Sequence, residues 1–105
     1  MEYLIIAYIY IMHDDIQLIN NTDIHNFEMF VEGHRAFIDY QLKHDKVFLI
    51  HTEVPVELEG HGVAGAMVDR TLHYIEDHGW KIIPYCAYVK SFLKRHPEWE
   101  RLVVA

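Results

Sequence analysis

Hydrophobic spacing changes period once along this chain, across a short segment that carries Pro55, Gly60 and Gly62. Before it, apolar residues recur at every second position, as on a strand that shows a core one face and water the other. After it they recur at three- and four-residue steps, as on a helix with one buried stripe. Phe27, Met29 and Val31 alternate with Glu28, Phe30 and Glu32, and Ala36, Ile38, Tyr40 and Leu42 alternate with Phe37, Asp39 and Gln41. The link Gly33-His34 predicts a two-residue hairpin of type II′, with its glycine first. His44-Asp45 predicts a second tight turn into a strand over Lys46–Glu53, and Ile16–Asn20 predicts a short strand ahead of them, ended by Asn20-Asn21-Thr22-Asp23. Residues 16–53 therefore read as an antiparallel meander of four strands.

Between Gly62 and His78 the apolar stripe is Ala64, Met67, Val68, Thr71, Leu72 and Ile75, and Gly79 follows as a helix-ending glycine. Lys81–Tyr85 is a β-branched run that predicts a fifth strand. Tyr88, Val89, Phe92, Leu93 and His96 repeat the helical step before Pro97. A strand–helix–strand crossover of this length makes its two strands parallel neighbours. The expected fold is thus α/β (α+β): a mixed, mostly antiparallel sheet of about five strands with two helices.

Composition narrows the function classes. A chain of 105 residues is one domain by length. Its formal charge of −7 disfavours nucleic acid, which calls for a basic face. The single Cys86 excludes an internal disulfide and a Cys-based zinc site. None of the nine His stands four residues from another, so no metal site is expected. The apolar start MEYLIIAYIYIM falls short of the roughly 20 residues a membrane helix needs, and it lacks the basic n-region and cleavage site of a signal peptide. Residues 1–15 are expected to be an extension outside the core, with Met12 as a natural start, or, if ordered, an edge strand or a pairing surface for a second copy. A domain over 16–105, off the membrane, cytoplasmic and either monomeric or weakly homodimeric, is the expectation.

The run Glu53-Val-Pro-Val-Glu-Leu-Glu-Gly-His-Gly-Val-Ala64-Gly65 joins a strand to a helix with two glycines at the helix entry. Glycines there let the backbone bend and a ligand approach. The first helical N–H groups lack acceptors and carry the positive dipole end, which suits an anion such as phosphate. A purely structural turn is the other reading of the same glycines. With Ala36-Phe-Ile-Asp-Tyr40, His51-Thr-Glu-Val-Pro55, Pro84-Tyr-Cys-Ala-Tyr-Val-Lys90 and His96-Pro97-Glu98, the chain resembles the N-acetyltransferase (GNAT) superfamily, and most closely its small single-domain branch. The resemblance runs from about Gln17 to Val103.

That resemblance implies an acetyl-CoA cosubstrate whose pyrophosphate lies on the backbone of a Gln/Arg-x-x-Gly-x-Gly/Ala turn. Here Glu59, Gly60, His61, Gly62, Val63 and Ala64 occupy it, with Gly62 in the first glycine place and Ala64 in the Gly/Ala place. Glu59 departs from the pattern, since a carboxylate repels pyrophosphate; His61 or Arg70 could compensate. The resemblance further implies that the fourth strand splays from the fifth, so that backbone groups of Thr52 to Val54 pair with the pantetheine arm. It places Cys86 at the bottom of the resulting slot, as a candidate active-site residue of the short branch.

Each candidate for the chemistry has two readings. Glu53 is a general base if burial raises its pKa, or else a solvated strand end. His51 alternates onto the same face as Glu53, as a base or as a sheet-face residue. Cys86 opens a helix, as a nucleophile favoured by the amide dipoles or as a small buried hydrophobe. Tyr88 is an acid for the leaving thiolate or a member of the apolar stripe. Lys90 and Lys94 share one helix face and either hold the 3′-phosphate of CoA or are simply solvated. The function expected is transfer of acetyl from acetyl-CoA to an exposed primary amine, on a protein lysine or a polyamine, drawn in by the acidic surface. The alternative is a CoA-binding or protein-interaction module without turnover.

Overall fold

The computed structural model describes residues 16–105. The apolar start, and with it the expected extension 1–15, lies outside the described residues. Five strands form one sheet in chain order: β1 (Ile19–Asn21), β2 (Asn26–Val31), β3 (His34–Lys43), β4 (Lys46–Glu53) and β5 (Lys81–Pro84). The first four are antiparallel to their neighbours, and β5 runs parallel to β4. Two α-helices among the described residues, α1 (Val63–Asp77) and α2 (Ala87–Arg95), fill the β4–β5 crossover and follow β5. Single 3₁₀ stretches cover Val56–Leu58 and Pro97–Leu102. The mixed sheet and the parallel last pair are those expected from the change of period. Pro97 does not simply stop α2; it opens the second 3₁₀ stretch, which carries the buried Trp99 and Leu102.

The first hairpin differs from expectation. Val31 pairs with His34, so the link is Glu32-Gly33, not Gly33-His34. Both link residues have positive φ, 52° and 78°, which is a type I′ rather than a II′ turn. The twist of a I′ turn matches that of the strands it joins, and glycine at its second place relieves the steric cost. His44-Asp45 makes a second turn of this kind, with φ of 52° and 63° and no glycine. Leu42, expected on the buried face, is 39% exposed one pair from this hairpin, although Val47 opposite it on β4 is fully buried.

One face of the sheet builds the core. Phe27, Met29, Val31, Ala36, Ile38, Val47, Leu49 and Ile82 meet Met67, Val68, Leu72 and Ile75 of α1 and Val89, Phe92 and Leu93 of α2. The period-2 and period-3.6 patterns thus bury each other. Beyond β5, the C-terminal residues close the edge: Ile82 bridges Val103, and the Val104 N–H donates to the Ile82 carbonyl at 3.0 Å. Arg101 anchors this end by donating to Glu76 Oε2 through Nε at 2.9 Å and a terminal nitrogen at 2.6 Å.

Two polar groups interrupt the core. Thr71 is fully buried in the α1 stripe, and its Oγ1 has no hydrogen-bond partner. An unpaired buried hydroxyl keeps its desolvation cost without return. Tyr40, 3% exposed, donates to Asn20 Oδ1 at 2.6 Å, and Asn20 Nδ2 donates to the Tyr74 hydroxyl at 3.2 Å, so one side chain ties β1 to β3 and α1. Burial raises the Tyr40 phenol above its ordinary 10.0, the Asn20 bond pulls it back, and Tyr74 adds a smaller upward push.

Thr71→Val, which keeps the shape and removes the orphan, is expected to raise unfolding free energy by about 1 kcal/mol in urea melts. Since the fold favours the neutral Tyr40 phenol, the unfolded chain loses that proton first on titration. The contribution is complete below pH 10 and is lost as pH rises through the raised value. The urea midpoint should therefore fall above pH 10, and fall less steeply in Tyr40→Phe.

Candidate active site

The site is assembled where the β4–β5 pairing ends. The parallel ladder stops at Leu49↔Pro84, and the Leu49 carbonyl accepts the N–H groups of both Tyr85 and Cys86, at 2.9 and 3.0 Å. β4 continues alone on that side through Thr52 and Glu53. At the same level the β3–β4 ladder shifts register, with Asp39 opposite His51 and Tyr40 opposite Leu49, so that Ile50 has no partner. This bulge reverses the alternation. Continued unbroken from Val47 and Leu49, the pattern would carry His51 and Glu53 under the helices. The extra residue instead places Thr52, opposite the buried Ile38, on the helix side, and puts His51 and Glu53 on the other face.

Two groups of expected residues result. On the face away from the helices, His51 Nε2 lies 2.7 Å from Glu53 Oε2, with both side chains more than half exposed. On the helix face, Thr52 Oγ1 lies 3.2 Å from the sulfur of Cys86, which is buried at the N-cap of α2. The bulge and the free strand end lie between the two groups.

The chain then turns into α1. The 3₁₀ stretch over Val56–Leu58 buries Leu58 as an anchor, and Gly60 and Gly62 both take left-handed φ, 81° and 76°. Gly62 is the N-cap, with no side-chain cap and no acidic residue in the first turn. Its carbonyl accepts the Ala66 N–H at 3.1 Å, which leaves the amides of Val63, Ala64 and Gly65 without intrahelical acceptors. These residues line a cavity of about 220 Å³ together with Val54, Leu58, Glu59, Gly60, Gly62 and Tyr88. Tyr88 packs over position 65, where a Cβ would stand at ordinary contact distance, 3.6 Å, from its hydroxyl.

Of the ten residues expected to bind a cosubstrate, Val54, Glu59, Gly60, Gly62, Val63 and Ala64 thus share one cavity. Thr52 faces Cys86 instead. His61 is not part of the cavity lining, and its buried Nδ1 has no partner. Lys90 and Lys94 are exposed on α2 and do not line it either. Arg95, which forms the chain's main basic cluster with Lys90 and Lys94, lies with Cζ 6.0 Å from the Tyr88 ring centre, a seven-residue step along the same helix. Gly65 was missed as a lining residue; its signal was its place one residue beyond the glycine pattern. Among the described residues no group of three metal-ligating side chains comes together.

Residues 26–102 match the family described as GCN5-related N-acetyl-transferase. The chain belongs to that family. A GCN5-like protein of Staphylococcus aureus, solved in solution by NMR as a candidate N-acetyltransferase, superposes with a TM-score of 0.63 at 21% identity. The match covers 86% of this chain and 87% of that one, and it shows that the two share a fold. The five-stranded mixed sheet with its uncapped α1 entry is therefore an acetyltransferase scaffold, in the short form expected from the sequence.

The two glycines flanking the helix entry should respond with opposite sign. Gly62→Ala forces a side chain into a left-handed backbone and should cost about 1–2 kcal/mol. Gly65→Ala adds a Cβ at ordinary contact distance within a helix and should stabilise by about 0.5 kcal/mol. Paired chemical denaturation curves measure both.

Proposed function

We propose that residues 16–105 form a transferase that uses acetyl-CoA to acetylate an exposed primary amine, on a protein lysine or a polyamine. The observation that carries this reading is the single cavity shared by the uncapped start of α1, Val54 of the free β4 end, and Tyr88. Amides pointing into a cavity, with the dipole behind them, bind an anion through backbone donors that no substitution of side chain removes. Acetyl-CoA supplies a pyrophosphate for those amides and an acetyl thioester for the chemistry.

The residues divide the proton traffic between the two faces of the sheet. An amine acceptor arrives on the face that carries His51 and Glu53 and loses its proton to His51 Nδ1, the nitrogen left basic when Nε2–H donates to Glu53 Oε2, and that bond stabilises the imidazolium that forms. Tyr88, on the helix face, donates its phenolic proton to the departing sulfur. Backbone groups of Thr52 to Val54, left free by the parting of β4 and β5, align the arm between these two faces. The formal charge of −7 draws cationic acceptors toward the site. A single free thiol suits a reducing cytoplasm.

A second route is favoured by the position of Cys86 at the end of the β5 ladder, with Thr52 Oγ1 3.2 Å away. In it the thiol attacks the acetyl carbon, CoA leaves as its thiol, and the acetyl group passes from Sγ to the amine. Retention of activity in Cys86→Ala decides for direct transfer. Loss of activity, together with a trapped acetyl adduct on the wild-type protein, decides for two steps.

Calorimetry with acetyl-CoA tests the whole reading; no binding at millimolar concentration would end it, and binding without transfer to spermidine or a histone-tail peptide would leave a binding module. Glu59 opposes the anion in the cavity, so Glu59→Gln should tighten acetyl-CoA by about threefold at low salt, and by less as salt screens the carboxylate.

A further inference from the structure

We infer that Phe37, clamped by the Glu28–Arg35 ion pair, is a positioning residue for the His51–Glu53 pair. The inference rests on the reading of that pair as the proton acceptor. It starts from a buried charge that the transfer chemistry does not use. Glu28 is 6% exposed on β2, on the sheet face away from the helices. Arg35 Nε donates to Glu28 Oε2 at 2.7 Å, and a terminal nitrogen of Arg35 donates to Asn26 Oδ1 at 2.5 Å. The pair joins a buried carboxylate to a half-buried guanidinium, so the desolvation cost falls on Glu28 and the pair is weak evidence for stability alone; what it holds in place is informative.

What it holds is an aromatic ring. Arg35 Cζ lies 4.3 Å from the centre of the Phe37 ring, and Glu28 and Glu53 flank Phe37 in the two ladders. The Phe37 ring in turn meets His51 edge-on, with centroids 6.4 Å apart at 63°. The same network reaches His51 from the other side, since Asn26 Nδ2 donates to Asp39 Oδ1 at 3.1 Å and Asp39 stands opposite His51. His51 and Glu53 are exposed, at 58% and 56% of their side-chain surface. An exposed imidazole–carboxylate pair on its own spreads over several rotamers. The ring held by Arg35 gives His51 one defined wall, and so a defined direction for Nδ1, the nitrogen not bonded to Glu53.

The test compares Phe37→Leu and Phe37→Tyr with the wild type, using acetyl-CoA and whichever of spermidine or a histone-tail peptide turns over faster. Expected for Phe37→Leu is a kcat lowered about tenfold with the KM for acetyl-CoA unchanged, as for a misplaced group that touches no cosubstrate. Phe37→Tyr, which keeps the ring, should restore kcat. A second readout needs no turnover: in NMR spectra the His51 ring protons should show contacts to the Phe37 ring, and their ring-current shift should vanish in Phe37→Leu and persist in Phe37→Tyr. An unchanged kcat in Phe37→Leu, or His51 shifts indifferent to the ring, overturns the inference. Unchanged kcat in His51→Ala overturns the proton-acceptor reading instead, and the NMR comparison then decides the positioning by itself.

Discussion

Ile50 stands without a partner across the β3–β4 ladder, and the rest of the site depends on that one unpaired residue. A strand offers its side chains to two faces in strict turn, so an inserted residue exchanges the faces of everything after it. Before the bulge β4 sends Val47 and Leu49 into the core; after it, Thr52 takes the core side and His51 and Glu53 the other. The bulge coincides with the end of the β4–β5 pairing, where the Leu49 carbonyl collects two N–H groups and β4 goes on alone. One local irregularity therefore puts the His51–Glu53 pair and the Cys86 thiol on opposite faces, at the level where β4 loses its β5 partner.

Electrostatics at the cavity work against the chain's own composition. The cavity at α1 is lined by amides and not by cations: Val63, Ala64 and Gly65 supply donors, while the acidic Glu59 shares the lining. Backbone donors cost nothing in side-chain entropy and cannot be neutralised, so an anion bound there as proposed would leave the acidic surface attractive to amines. Lys90 and Lys94 leave the lining to Tyr88, because the turn of α2 that buries Val89, Phe92 and Leu93 points the lysines to solvent.

Much of this was legible in the residues. The alternation through Phe27, Ala36 and Val47 predicted the meander, and the stripe from Ala64 to Ile75 predicted the helix, because burial on one face imposes its period on the sequence directly. The proximity of His51 and Glu53 followed from an i, i+2 step on a strand. Cys86 beside Thr52 did not, since 34 residues separate them and only the return of β5 brings them together. The first hairpin was misplaced by one residue because glycine serves either place of a two-residue link, and pairing across the strands decides which. Arg35 and Phe37 carried no signal, for an alternating polar and aromatic pair on a strand is ordinary until its register is known.

By itself, the sequence determined which segments form strands and helices, where the chain bends at Gly60 and Gly62, and that the last two strands run parallel. These are consequences of local backbone preference and of hydrophobic period, which each residue carries with it. Only the tertiary structure decided which face His51, Thr52 and Glu53 occupy, where β4 and β5 part, and which side chains share the cavity at α1. Those depend on register, and register is a property of two segments packed together that neither segment encodes alone.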